Sequence, residues 1–164
     1  MNIEITPATV SDARQVLSYY TDILSENLPF IMSNPVPTLE QEINFIKKHD
    51  GNYSLLLLAK HEGLLIGMNG YQIERHPQHS HSCSLGITVA KSFRGKGVGT
   101  QLIQSGIGWC KSKFVLRLEL EVIDGNPAVP FYEKLGFKVE GRKRKFVRIG
   151  ESFKDMIIMA QILA

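Results

Sequence analysis

The spacing of apolar and polar positions changes period several times along the chain, and each change marks an element. Ile3 and Ile5 suggest a short first strand. Ser11 or Asp12 can cap a following helix whose Ala13, Val16, Leu17, Tyr20 and Leu24 share one face. Thr38 and Gln41 form a capping-box pattern, after which Leu39, Ile43 and Ile46 mark the apolar face of a second helix. The stretch Ser33–Thr38, rich in Pro and Asn, reads as a loop between them. Tyr53–Lys60 and Leu64–Ile73 are strand-like runs joined by His61–Glu62–Gly63, which predicts a hairpin. His81–Val89 is a further strand, with Leu85, Ile87 and Val89 alternating against Gly86 and Thr88.

From Val98 to Lys113 the helical period returns, placing Val98, Leu102, Ile103, Gly106, Ile107 and Cys110 along one side. Leu116, Leu118, Leu120 and Val122 alternate with Arg117, Glu119 and Glu121, the pattern of a half-buried strand. Pro127–Leu135 is a short helix stopped by Gly136, and Pro130 requires it to start late or bend. Phe137–Arg148 and Phe153–Ile162 form a terminal hairpin around Ile149–Gly150–Glu151.

Strand and helix signals that alternate in this way predict an α/β fold. No repeat or linker divides the 164 residues, so a single domain over 1–164 is expected. At 43% hydrophobic residues the chain is neither disordered nor fibrous, and no apolar run approaches the ~18 residues of a membrane span. Met1–Ile5 lacks the basic and apolar regions of a signal peptide. Cys83 and Cys110 are too few and too far apart for a disulfide framework or a zinc site. A cytoplasmic, reduced, metal-independent protein is the expectation.

The net charge of +3 is local in origin. Lys138, Arg142, Lys143, Arg144, Lys145 and Arg148 lie together against one acid, Glu140, which leaves the rest of the chain slightly acidic. Such a strip can face phosphates or simply form a solvated strand.

The strongest chemical signal is Arg94–Gly95–Lys96–Gly97–Val98–Gly99–Thr100, set between a strand and a helix. Alternate glycines remove Cβ atoms that would hold a ligand off the main chain. Consecutive N–H groups at a helix N-terminus favour an anion, and Arg94 and Lys96 add positive charge. A phosphate or pyrophosphate suits such a nest. A dinucleotide fingerprint would need glycine where Thr100 stands, and no Walker A string exists in the chain.

Arg94–Gly99 resembles the Q/R-x-x-G-x-G/A signature of the GCN5-related N-acetyltransferases. Asn126–Pro127–Ala128–Val129–Pro130–Phe131–Tyr132–Glu133–Lys134–Leu135–Gly136–Phe137 is similar to a second stretch of that family. The order of elements fits over nearly the whole chain. The resemblance implies a central mixed, mostly antiparallel twisted sheet of six to seven strands flanked by about four helices. It also implies acetyl-CoA as cosubstrate, held by Ile87, Val89, Arg94, Gly95, Lys96, Gly97, Val98, Gly99, Thr100, Asn126 and Phe131. In the family the loop amides take the pyrophosphate, and the strand before them runs along the pantetheine arm. The backbone at Ile87 and Val89 would pair with that arm while a nearby strand N–H polarises the thioester carbonyl.

Acetyl transfer to an amine needs a neutral amine, an electrophilic carbonyl and a protonated thiol leaving. An alkyl amine with a pKa near 10.4 must lose a proton first, directly or through water. An amide donor to the oxyanion is worth roughly 3 kcal/mol. By resemblance Tyr132 is the catalytic acid for the sulfur; the alternative reading is a packed helix aromatic. The base is open: Ser84 stands where some relatives carry a glutamate. Glu74, Glu119, Glu121 and the His76, His79 and His81 group are the other candidates.

The expected acceptor is a small-molecule amine, amino acid-like or polyamine-like, or a peptide amino group. It would be bounded by Ser25–Thr38 and the terminal hairpin. A CoA-binding sensor without turnover is the alternative, and a nucleic-acid module on the basic strip ranks behind it. No membrane partner is expected, and a homodimer through the apolar Phe153–Ile162 strand is.

Overall fold

In a computed structural model of the protein, residues 1–29 and 35–163 are described. Part of the expected Ser33–Thr38 loop therefore lies outside the described residues. Seven strands form one sheet: β1 (Glu4–Pro7), β2 (Ser54–His61), β3 (Leu64–Ile73), β4 (Ser82–Val89), β5 (Arg117–Ile123), β6 (Lys138–Ile149) and β7 (Ser152–Ile162). Their spatial order is β1-β2-β3-β4-β5-β7-β6, antiparallel throughout except for the parallel pair β4 and β5. The β2–β3 hairpin closes through Glu62 and Gly63, both at positive φ (50° and 78°), which matches the twist of the strands they join. A parallel pair needs a long crossover, supplied here by a helix.

Among the described residues four α-helices cover the sheet: α1 (Ala13–Ser25), α2 (Leu39–Lys48), α3 (Val98–Ser112) and α4 (Val129–Lys134). One face packs beneath α3 and α4, with Ile66, Tyr71, Leu118, Tyr132 and Phe137 in its core. The other packs Leu56, Leu58 and Leu65 against Val16, Tyr19 and Ile23 of α1 and Ile46 of α2. This is the mixed, mostly antiparallel architecture that the family resemblance implies.

Several local expectations shift. Of the two candidate caps, Asp12 rather than Ser11 occupies the N-cap of α1, but its side chain faces back: Oδ2 accepts from Thr9 N–H at 2.8 Å, and Thr9 caps the single 3-10 turn that leads into the helix. The buried face of α1 is Ala13, Val16, Tyr19 and Ile23, so Tyr20 and Leu24 lie at its margin. The Thr38–Gln41 box forms as read, with Thr38 N–H on Gln41 Oε1 at 2.8 Å. In α2 Glu42 is buried beside Ile46, and burial raises its carboxyl above the ordinary range. Pro130 sits in the first turn of α4, where its missing N–H costs no helix bond.

Close approach of α3 to the sheet depends on Gly106. A Cβ there would lie 1.9 Å from Tyr71 Cζ, so the ring fills the notch the glycine leaves. Tyr71 Oη donates to Leu102 O at 3.3 Å. This fixes the height of α3, and so of the loop preceding it. At the other end of the chain, β7 runs inside the sheet and buries Met156, Ile157, Met159 and Ala160 within the chain. The apolarity that suggested a dimer face is thus largely used internally.

Candidate active site

β4 and β5 pair only through Ser82–Arg117, Cys83–Leu118 and Ser84–Glu119. Farther along they part, while β4 stays in register on β3 from Ile73–Cys83 to Gly67–Val89 and β5 stays on β7. Two bonds fix the phase of the β3–β4 ladder: Glu74 N–H to Ser82 O at 3.0 Å and Ala90 N–H to Ile66 O at 2.9 Å. Antiparallel residues bond their neighbour alternately, so Gly86 and Thr88 serve β3. The N–H and C=O groups of Ile87 and Val89 therefore point into the parting, where no strand among the described residues meets them. Backbone polar groups at such an edge require a partner. The Val89 carbonyl has one, accepting from Arg94 Nε at 2.9 Å.

The parting leads to the glycine loop at the start of α3. Gly95 and Gly97 have φ of +71° and +84°, and a Cβ on either would meet nothing within 4 Å. Among the described residues, the N–H groups of Gly95, Lys96, Gly97, Val98, Gly99 and Thr100 donate to no carbonyl or side chain. Free donors at a helix N-terminus form a nest for an anion. The loop amides, with open space above Gly97, thus fit a pyrophosphate. Gly99 has a different role: a Cβ there would lie 3.0 Å from Phe131 Cζ, so the bare Cα admits the α4 aromatic.

The two loop cations also divide. Lys96 is exposed, with its ammonium 5.5 Å from the Phe93 ring centroid. The Arg94 guanidinium is engaged by other groups of the chain: besides Val89 O, it gives Nη2 to Glu26 Oε1 at 2.8 Å and places Nη1 2.8 Å from Oε2. It thereby ties the loop to the end of α1 and the end of β4. Sequence spacing gave no sign of this partner, 68 residues away.

On the α3 side of the sheet, Asn126 Oδ1 accepts from Ala128 N–H at 2.9 Å and orders the turn into α4. Phe131 reaches Gly99, and Tyr132 packs edge-on to Phe137 with ring centroids 6.0 Å apart. Burial pushes the Tyr132 phenol up to about 12, so it holds its proton throughout the neutral range.

The opposite face of β4 carries Ser84, Gly86 and Thr88. Tyr19 Oη donates to Thr88 Oγ1 at 3.1 Å, and Ser84 Oγ donates to Gln72 O at 3.4 Å. The candidate bases on β5 are already engaged. Glu119 accepts from Arg117 Nε at 3.0 Å, and Glu121 is held by Lys143. Arg117 also grips Glu140, and Arg142 bridges Asp124 and Asp155, so part of the basic strip is neutralised within the chain. The His76 and His79 rings lie tilted to each other, with centroids 5.3 Å apart, in the β3–β4 connection. Among the described residues no three His, Cys, Asp or Glu side chains gather as a metal site, and no helix is long and apolar enough to cross a membrane.

Sequence reasoning also passed over Asn69, a wholly buried amide on β3 whose Nδ2 donates to Gly86 O at 2.9 Å. Its signal was faint: one of two amide side chains, with Gln72, in a mostly apolar strand.

Comparison with known proteins agrees with this geometry. The L-amino acid N-acetyltransferase AaaT of Escherichia coli is 31% identical over 108 residues, 65% of this chain and 67% of that protein. An acetyltransferase of the GNAT family from Streptococcus pneumoniae superposes with a TM-score of 0.91 at 25% identity, covering 99% of this chain and 100% of that one. The fold is shared with yncA of Salmonella typhimurium, solved with acetyl-CoA, at a TM-score of 0.88 and 15% identity over 100% of this chain and 95% of that one. The model of the acetyltransferase (GNAT) family matches residues 17–137. With its parted β4–β5 pair opening onto a loop of free amides, the chain belongs to the GNAT acetyltransferase family and is an acyltransferase.

Proposed function

We propose that the protein transfers an acetyl group from acetyl-CoA to the α-amino group of a free amino acid or a close analogue. The observation that carries this reading is the open edge of β4 ending at the unpaired amides of Gly95–Thr100. The similarity to an L-amino acid N-acetyltransferase supports the acceptor class.

Acetyl-CoA supplies the acyl group as a thioester, whose C–S bond breaks as the C–N bond to the amine forms. The loop amides hold the pyrophosphate, with Lys96 beside them. Val89 N–H and Ile87 C=O take the arm, and Asn126 Nδ2 and Phe131 flank it. Ile87 N–H, deeper in the parting, faces the acyl oxygen and stabilises charge developing there. Tyr132 holds the proton that the departing sulfur takes, and water restores it. Glu119 and Glu121 are bound to cations, so water accepts the protons the amine releases. The acceptor enters from the face bearing Ser84 and Thr88, opposite α3. The setting is cytoplasmic, with no nucleic-acid partner.

A continuous assay of thiol release across free amino acids, polyamines and short peptides tests the reading. Turnover of free L-amino acids, with one acetyl group on the α-nitrogen by mass spectrometry, is expected. Turnover confined to polyamines or peptides, or none with any amine, would overturn it.

A further inference from the structure

Asn69 is wholly buried beneath α3, and its Oδ1 has no hydrogen-bond partner among the described residues. A buried amide with an orphan oxygen is a standing cost that packing alone gives no reason to keep, since a leucine of similar volume would fill the space. What the side chain does is donate Nδ2 to the carbonyl of Gly86 at 2.9 Å. That carbonyl already faces β3, where Gly86 pairs with Gly70. Two donors thus converge on one oxygen.

The Gly86 carbonyl shares its planar peptide unit with the Ile87 N–H, which points the opposite way, into the parting. Donors on the oxygen polarise the amide and strengthen its N–H as a donor. They also hold the plane where the strand is weakest: Gly86 and Gly70 lie opposite each other and carry no side chains to brace it. We infer that Asn69 is a positioning residue for acyl transfer, aiming and polarising the Ile87 N–H from behind the sheet. The inference rests on the reading above that this N–H meets the acyl oxygen.

Isotope-edited infrared spectroscopy of bound acetyl-CoA, labelled at the acyl carbon, separates the two claims. In the native protein the thioester carbonyl should absorb at lower frequency than in free acetyl-CoA. In Asn69→Leu the melting temperature should hold or rise and acetyl-CoA affinity should stay within about twofold, since neither loop nor arm contacts change. The carbonyl shift should shrink, and kcat should fall about threefold to tenfold, as expected for weakening rather than deleting an oxyanion donor. Asn69→Ala reads the same quantities should the leucine variant fail to fold. No shift in the native complex would remove the Ile87 assignment and this inference together. A native shift that both variants retain, whether kcat is unchanged or falls only with lost folding stability, would overturn the role of Asn69 and leave the Ile87 donor standing.

Discussion

Gly97→Glu separates the cost of backbone strain from the cost of losing an anion site. Gly97 has φ +84°, where an L residue pays about 1–2 kcal/mol. No atom lies within 4 Å of the added Cβ, so no steric cost accompanies that strain. In a domain of this size each kcal/mol lowers Tm by about 2–4 °C, so the variant should melt roughly 2–8 °C early and remain folded at room temperature. The effect on binding is larger. A carboxylate about 5 Å from one phosphate charge, at an effective dielectric of ~20, opposes it by about 3 kcal/mol, more than a hundredfold in Kd. Gly97→Ala carries the same strain without the charge. Calorimetric titration with CoA should therefore show the alanine variant weakened far less than the glutamate one. A folded Gly97→Glu protein that binds CoA with native affinity would refute the assignment of the loop.

Other consequences can be checked in the same way. Gly106→Ala forces a Cβ to 1.9 Å from Tyr71 Cζ and should cost about 1–3 kcal/mol by thermal melting. Adding Tyr71→Leu should recover part of that loss, a non-additivity expected only if the two positions share one space. Arg94→Lys cannot serve both the Val89 carbonyl and the Glu26 carboxylate; because the pair is partly exposed, melting should change by under about 1 kcal/mol. CoA affinity in that variant should nonetheless drop roughly fivefold by calorimetry, about 1 kcal/mol, as the loop loses its tie to β4. Tyr132→Phe should keep stability and acetyl-CoA affinity and lose roughly tenfold to a thousandfold in kcat. Because burial raises the Tyr132 phenol to about 12, the rate should climb with pH as the substrate ammonium deprotonates. It should show no descending limb by about pH 10, where an unperturbed phenol would ionise and stop donating.

Where local chemistry decides the outcome, the sequence was a good guide. The Thr38–Gln41 box, the hairpin at Glu62–Gly63, the late start of α4 at Pro130 and the strand–loop–helix around Gly97 all formed as read. Errors arose where tertiary packing chose between equal local options. Val16, Tyr19, Tyr20, Ile23 and Leu24 make a stripe too wide for one contact face, and only packing on β2 and β3 selects Tyr19 and Ile23. Glu42, which is not among the positions read as the apolar face of α2, is buried beside Ile46. The site divides similarly. Its loop could be read from glycine spacing, but the parting of β4 from β5 is a property of pairing that no single strand records. Likewise, the contacts of Arg94 with Glu26 and of Asn69 with Gly86 join segments distant in sequence. The three loop glycines look alike in sequence, yet Gly95 and Gly97 serve positive φ whereas Gly99 makes room for Phe131.

Amide hydrogen exchange at single-residue resolution, with and without saturating acetyl-CoA, reads the occupancy of the open β4 edge residue by residue. The alternation along β4 makes the expected pattern specific. Ile87 and Val89, whose N–H groups face the parting, should gain protection together with the loop amides of Gly95–Thr100. Gly86 and Thr88, already bonded to β3, should change little. Binding that leaves Ile87 and Val89 exchanging at their free rates, or that protects Gly86 and Thr88 instead, would contradict the placement of the acyl donor along the open edge of β4.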